Sequence, residues 1–305
     1  MYYFIVNPGS RSGKGRSVWK TVELILERED VEYRVYFTAY RFHAKELAAE
    51  ITARGGRINL VAVGGDGTVH EIFDGIQDFS RVTFGYIPTG SSNDFARALG
   101  LPVKTEEALA GILHPSNFRR IDIGTFRVGG EIHHFGVSCG CGFDASVCHE
   151  AMSSPVKDLL NRLHLGKLTY AATAVKQLIR WKPSKMSLLT DTGEKYSFKR
   201  TFFVAAMNGP YEGGGLKMAP KAAMDDGLFD IIIVEGMPRA LIALVLPSAF
   251  AGLHTLLPGV HIIRASSFKL RTTLRLPVHA DGEAYFVDKI MEISIEPAAL
   301  NVIAP

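Results

Sequence analysis

Ile58-Asn-Leu-Val-Ala-Val-Gly-Gly-Asp-Gly-Thr68 is the stretch on which the fold turns. Its first six residues, INLVAV, are nearly all apolar, as in a strand covered on both faces, and strands of that kind belong to parallel sheets flanked by helices. Helical periodicity follows at once over residues 69–76. The turn between them carries three glycines, which let the backbone approach a bulky ligand and aim its N–H groups. The start of the helix adds a positive partial charge, so strand, turn and helix together form a phosphate cradle. The plain alternative is a Gly-rich turn in which Asp66 merely caps the helix, and a turn residue of that kind is expected to contribute little to the core.

Outward from this stretch the same alternation continues. Strand-like runs occupy residues 2–6, 33–37 and 82–87, and segments of helical period lie at 17–27 and 44–53. Strand and helix in alternation predict a doubly wound α/β domain whose ligand lies beyond the carboxyl ends of the strands. Two further turns then fall on the same edge. Asn7-Pro-Gly-Ser-Arg-Ser-Gly-Lys-Gly15 follows the first strand, and Pro88-Thr-Gly-Ser-Ser-Asn-Asp94 precedes a short helix at 95–99. The first resembles a Walker A loop but has one residue too few between Gly9 and Gly13, and Gly15 stands where a magnesium-binding hydroxyl belongs. It also lacks the GxGxxG spacing of dinucleotide-binding folds.

Past about residue 120 the strand-like runs (132–137, 201–207, 229–234, 268–274 and 290–295) follow one another with Gly-rich turns and two helical insertions. This predicts a β-rich, β-sandwich-like second domain over 126–296, after an α/β nucleotide-binding domain at 1–125 to which residues 297–305 return, with the active site in the cleft between them. The 305 residues, 47% hydrophobic, suffice for two cores, and 34 Lys and Arg against 31 Asp and Glu leave a net charge of only +3. That balance argues against nucleic acid as a partner. Cys139, Cys141 and Cys148 offer neither an even count nor CxxC spacing, so they read as reduced core residues of a cytoplasmic protein. The N-terminus has no charged region before its short apolar run, which implies no export. Residues 240–257 are uncharged and 18 long, but Pro247, Gly252 and His254 interrupt them, which favours a buried or membrane-touching helix over a span.

Taken together, NPGSRSGKG (7–15), GGDGTVHE (64–71), PTGSSNDFAR (88–97), GCGFDA (140–145), NGPYEGGGLKMAP (208–220), DDGLFD (225–230) and DGE (281–283) resemble, in order, the diacylglycerol kinase catalytic-domain family, which includes sphingosine and ceramide kinases and soluble bacterial lipid kinases. The resemblance covers nearly the whole chain. It implies ATP as phosphoryl donor, bound by Asn7, Ser10 and Thr38, by Gly64, Gly65, Asp66, Gly67, Thr68, Val69 and His70, and by Gly90, Ser91, Asn93 and Asp94. It further implies a Mg2+ ion on Asp226 with the carbonyls of Ala223 and Leu228, and Asp281 and Glu283 as catalytic carboxylates, without saying which takes the proton. Two positions depart from the family pattern: Arg11 stands where Gly is usual, and Ser91, which keeps the hydroxyl, replaces Thr.

The expected activity is transfer of the γ-phosphoryl group to a hydroxyl of diacylglycerol or a related lipid. A lipid acceptor requires access to a bilayer. Between residues 157 and 185, Lys157, Arg162, Lys167, Lys176, Arg180, Lys182 and Lys185 face a single acid, Asp158, amid Leu, Ile, Tyr and Trp, the composition of a basic helix on an anionic membrane surface. Lys176, Arg180 and Lys182 are the expected contacts of a peripherally associated enzyme. Core-packed helices with a solvated basic face would look the same. Two other functions share the motifs: a kinase of a soluble metabolite such as NAD, and a nucleotide-binding regulator without transfer activity. The oligomeric state is left open, a homodimer included.

Overall fold

The computed structural model describes residues 1–153, 166–287 and 289–304. The chain divides into two units, Met1–Ile123 with Pro297–Pro305, and Gly124–Glu296. In the first unit, β1 (Tyr2–Val6), β2 (Tyr33–Phe37), β3 (Ile58–Gly64) and β4 (Val82–Pro88) form a parallel sheet in the order β2-β1-β3-β4. The helices between them are α1 (Ser10–Arg28), α2 (His43–Thr52) and α3 (Asp66–Gly75), followed by α4 (Asp94–Leu99) and α5 (Thr105–Leu113). Every residue of β3 except Asn59 is buried, as its unbroken apolar run requires.

Two distinct packings cover this sheet. Val18, Trp19, Val22 and Leu26 of α1 join Leu109 and Ile112 of α5 against Phe4, Val6, Val61, Val63 and Ile87. Elsewhere Phe73 meets Phe79, Phe84 and Phe95 edge to face at 5.1 to 6.2 Å between ring centres, a geometry that lets ring edges meet π-faces. The strand order matters for function. After β1 the chain crosses to one side of the sheet and after β3 to the other, so a crevice opens beyond the ends of those two strands.

The second unit is antiparallel; its first and last strands also run into the first unit, where the end of the last strand lies parallel to β4. After β5 (Asn117–Val128) come β6 (Glu131–Phe135), β7 (Ser138–Gly142), β8 (Ser184–Thr190), β9 (Lys195–Met207), β10 (Phe229–Glu235), β11 (Val260–Ala265), β12 (Ser267–Thr272), β13 (Leu276–Ala280), β14 (Glu283–Val287) and β15 (Ile290–Ala304), with α6 (Phe143–Ser153), α7 (Gly166–Arg180) and α8 (Arg239–Val245) inserted. The first part of β9 pairs with β8, and its last residues pair with β7 on one side and β10 on the other. Phe135, Phe229, Ile231, Phe268, Leu270, Val278 and Ile293 fill the core between these strands. The expected mixture of an α/β domain and a β-rich domain is thus present.

Short, weakly patterned strands carry little signal in the sequence. Strand β7 reads SCGCG, poor in β-branched residues, yet all five positions are buried because it lies between β13 and β9. Cys139 and Cys141 face that interior as free thiols. Residues 240–257 fold as α8 and two 3-10 turns, Leu246–Phe250 and Leu253–Leu256. Among the described residues no helix is long and apolar enough to cross a membrane.

Candidate functional site

Three loops beyond the carboxyl ends of β1, β3 and β4 are tied to one another by short polar side chains. Asn7 donates its side-chain N–H to Thr68 Oγ1 at 3.1 Å, and the hydroxyls of Ser10 and Thr89 lie 2.6 Å apart. The Thr89 amide donates to the Gly64 carbonyl at 2.7 Å. Gly65 and Gly90 touch back to back: a Cβ on Gly90 would stand 2.7 Å from the Gly65 Cα and from Asn93 Oδ1. Glycine at 90 is therefore a packing requirement.

Helix α3 starts from Gly65, an extended N-cap without a side-chain cap. Its N-terminus thus keeps the positive partial charge expected of a phosphate cradle. Asp66 plays a part that the sequence reading did not assign. Its carboxylate accepts the amides of Asp94 and Phe95 at 3.1 and 3.2 Å, capping α4 rather than its own helix. The expectation that Asp66 contributes little to the fold is corrected accordingly. Thr68, Val69 and His70 are buried in α3, and the Val69 amide already donates to the Gly65 carbonyl, so of the three it is Thr68, bonded to Asn7, that lines the adjacent cleft.

Asn93 is left-handed (φ 52°) and donates to the Gly90 carbonyl, while Ser91 is exposed. The Tyr86 hydroxyl donates within the same knot, 3.2 Å from the Gly64 carbonyl and 3.3 Å from Asn93 Oδ1. Burial, with Asp66 and Asp94 adding to it, pushes that phenol well above its usual range. Arg11, Ser12 and Gly13 all have positive φ, 44°, 57° and 95°. The loop keeps a left-handed path at Arg11 where Gly would adopt it without strain.

Beside this knot lies a cleft of about 800 Å3, lined by Asn7, Thr38, Thr68, Arg16, Tyr40 and Arg41 among others. That volume is in the range of small-ligand sites. The structure thus brings Asn7, Thr38 and Thr68 to one cavity, and it adds Arg16, Tyr40, Arg41 and Glu71, which the sequence reading missed. Glu71 accepts the amides of Phe42 and Ala44 and so fixes the entry into α2. Glu71 lies within the quoted GGDGTVHE motif, but no local signal marks residues 40 and 41.

In the second unit, Asp281 and Glu283 flank the β13–β14 turn and have different surroundings. Asp281 is left-handed (φ 48°), and its carboxylate accepts three amides, from Gly136 at 2.7 Å, Val137 at 2.8 Å and Ser138 at 3.0 Å. Such a carboxylate is held as an anchor for the loop before β7. Glu283 is half-buried at the start of β14.

Two residues before Asp281, fully buried His279 places Nε2 at 3.2 Å from Asp144 Oδ2 and 3.3 Å from Glu212 Oε1. Burial alone would lower the His279 imidazolium, but Glu212 and Asp144 hold it well above its usual range. Burial pushes the Asp144 carboxyl up, against the pull of His279. We read the group as a histidinium between carboxylates. A Cβ on Gly140 would meet Asp144 Oδ2 at 2.1 Å, which explains glycine there. Asp144, Glu212 and His279 belong to or adjoin quoted motifs, yet no spacing rule marks them as neighbours.

Asp226, the side-chain member of the expected magnesium site, has protein partners. Asp226 accepts the Leu228 amide on Oδ1 at 3.1 Å and pairs with Arg264 through Oδ2, and Arg264 Nε also donates to Asp230 at 3.0 Å. A guanidinium thus already supplies positive charge at Asp226, and a cation held by this carboxylate would have to displace Arg264. Of the expected membrane contacts, Lys176 pairs with Glu150, whereas Arg180 and Lys182 are exposed. Lys157 and Arg162 lie outside the described residues, as does the side chain of Lys167.

The architecture is shared with solved structures. A presumed diacylglycerol kinase from Bacillus anthracis strain Sterne superposes with a TM-score of 0.76 at 22% identity, covering 100% of this chain and 95% of that one. The diacylglycerol kinase catalytic domain profile matches residues 1–126, and that of the YegS C-terminal NAD kinase beta sandwich-like domain matches 138–304. YtlR of Bacillus subtilis strain 168, described as a presumed lipid kinase, is 32% identical over 292 residues, 92% of this chain and 93% of that protein. A diacylglycerol kinase of Mycobacterium tuberculosis strain H37Rv is 31% identical over 265 residues, 86% of this chain and 81% of that protein. The chain belongs to the diacylglycerol kinase catalytic-domain family, a family of lipid kinases.

Proposed function

We propose that the protein transfers the γ-phosphoryl group of ATP, supplied as its magnesium complex, to a hydroxyl of diacylglycerol or a related membrane lipid. The observation that carries this reading is the knot of Asn7, Thr68, Ser10 and Thr89 at the sheet's switch point, beside the uncapped start of α3 and the large cleft. Main-chain amides and a helix N-terminus suit phosphate oxygens, and the loops are held before any nucleotide arrives. Arg16 and Arg41, which line the same cleft, add positive charge toward a polyphosphate.

Glu283 is assigned the proton. As the lipid O–H bond breaks, its proton passes to the Glu283 carboxylate, the oxygen bonds to the γ-phosphorus, and the β,γ-bridge bond breaks to leave ADP. Asp281 is a positioning residue, because its carboxylate is committed to three amides. The test is a radiolabelled ATP assay offering dioleoylglycerol in mixed micelles and, separately, NAD without detergent. Label is expected in the lipid, and Glu283→Gln should lower the rate at least about a hundredfold while ATP binding and the thermal midpoint hold. Label in NAD instead, or bound ATP with no labelled product, would overturn the assignment.

A further inference from the structure

The surface of the second unit carries an apolar ridge that the nucleotide chemistry does not use. Leu244 and Leu256 are 77% and 79% exposed, Leu253 and Phe250 are 56% and 53% exposed, and Leu241 joins them. These side chains are not on a loose segment. Ile242 and Val245 turn the other side of α8 toward the core cluster of Phe202, Met218 and Ile232. Ala249 is buried and accepts the Lys217 amide at 2.8 Å, and buried His254 contacts the Met218 carbonyl at 3.2 Å. A well-anchored segment therefore presents large apolar groups to the outside, which isolated surface leucines do not do.

Charge says what covers the ridge. Residues 238–259 contain no Asp or Glu. Arg239 donates to the Trp181 carbonyl at 2.6 Å, which brings exposed Arg180 and Lys182, at the end of α7, to the start of α8. An apolar centre with a cationic rim is complementary to a bilayer with anionic headgroups. We propose that Leu241, Leu244, Phe250, Leu253 and Leu256 insert into the outer acyl layer of an anionic phospholipid bilayer, with Arg180, Lys182 and Arg239 on the headgroups. The inference rests on the lipid-kinase reading, since a bilayer is where the acceptor resides. It makes residues 240–257 the inserting element and the basic end of α7 its rim.

The test is co-sedimentation with vesicles of equal parts phosphatidylcholine and phosphatidylglycerol. Each exposed leucine withdrawn from water should contribute about a tenfold factor in partitioning, so Leu244→Gln with Leu256→Gln should weaken binding about a hundredfold. High salt should weaken the wild type only in part, because apolar insertion is not screened. A second pair, Phe250→Gln with Leu253→Gln, should behave alike and guards against one variant failing to fold. Turnover of dihexanoylglycerol in free solution should be unchanged in both variants. Wild type that does not sediment, or variants that sediment equally, overturns the proposal. So does a wild-type dimer that the variants dissociate, since the ridge would then meet a second copy. If no variant and no wild type phosphorylates dihexanoylglycerol, the kinase reading falls while the vesicle result stands separately.

Discussion

Asn7, Ser10, Thr68 and Thr89 join the loops of the first unit through neutral amides and hydroxyls, whereas His279 joins Asp144 and Glu212 of the second unit through buried charge. Neutral hydrogen bonds contribute about 1 kcal/mol each and respond little to pH. A buried ion cluster is different: removing one member strands the others in a medium that solvates them poorly. The first region should therefore yield gradually to mutation, and the second abruptly and with a pH signature.

The largest effect is expected at His279. His279→Gln leaves Asp144 and Glu212 facing each other without a cation and should lower stability by about 3 to 5 kcal/mol. The wild type carries the sign of the interaction. A histidine raised in the folded state contributes in full below its unfolded value of about 6.5, and the contribution is lost as pH rises through the higher folded value. Urea midpoints should accordingly fall on the alkaline side in the wild type and not, from this group, in the variant. Parallel pH curves for the two proteins would mean that charge does not hold the cluster.

A smaller effect belongs to Asp66. Asp66→Ala removes both acceptors from the α4 amides and should lower stability by about 1 to 2 kcal/mol, alongside a loss of transfer. An unchanged thermal midpoint would return Asp66 to a purely ligand-facing role. The smallest is Arg11→Gly, which relieves a left-handed non-glycine at φ 44° and should raise stability by about 0.5 kcal/mol after the entropy of glycine is subtracted. A fall of similar size in the denaturant midpoint would show that the Arg11 side chain makes up for its backbone.

These contrasts also explain what the sequence disclosed. Strands β1 and β2 are bounded as their apolar runs indicate, and the three loops are legible because each is contiguous in sequence and stands between a strand and a helix. What contiguity hides is the cross-bonding between loops. Nothing local tells that Asp66 serves the helix 28 residues later, or that Thr89 answers Ser10 across 79 residues. In the second unit Asp144 and His279 are 135 residues apart and meet only because β13 lies beside β7, a strand whose Gly and Cys content gives no β signal. The surroundings of Asp226 are hidden for a related reason: its DDG turn is visible, but Arg264, from β11, is not part of the motif.

The placement of the three cysteines has a practical consequence for labelling chemistry. Cys139 and Cys141 are buried, and burial pushes both thiols up. Cys148 is pushed up to about 11 by burial, against the pull of His279 and with Glu212, Asp144 and Glu283 adding to the rise. Its thiol is therefore held largely protonated near neutral pH, and the thiolate is the form that attacks maleimides and iodoacetamides. One cysteine introduced on an exposed side chain would then be the dominant reactive thiol, and a spectroscopic reporter could be attached to the otherwise native chain without first stripping it of its own sulfur.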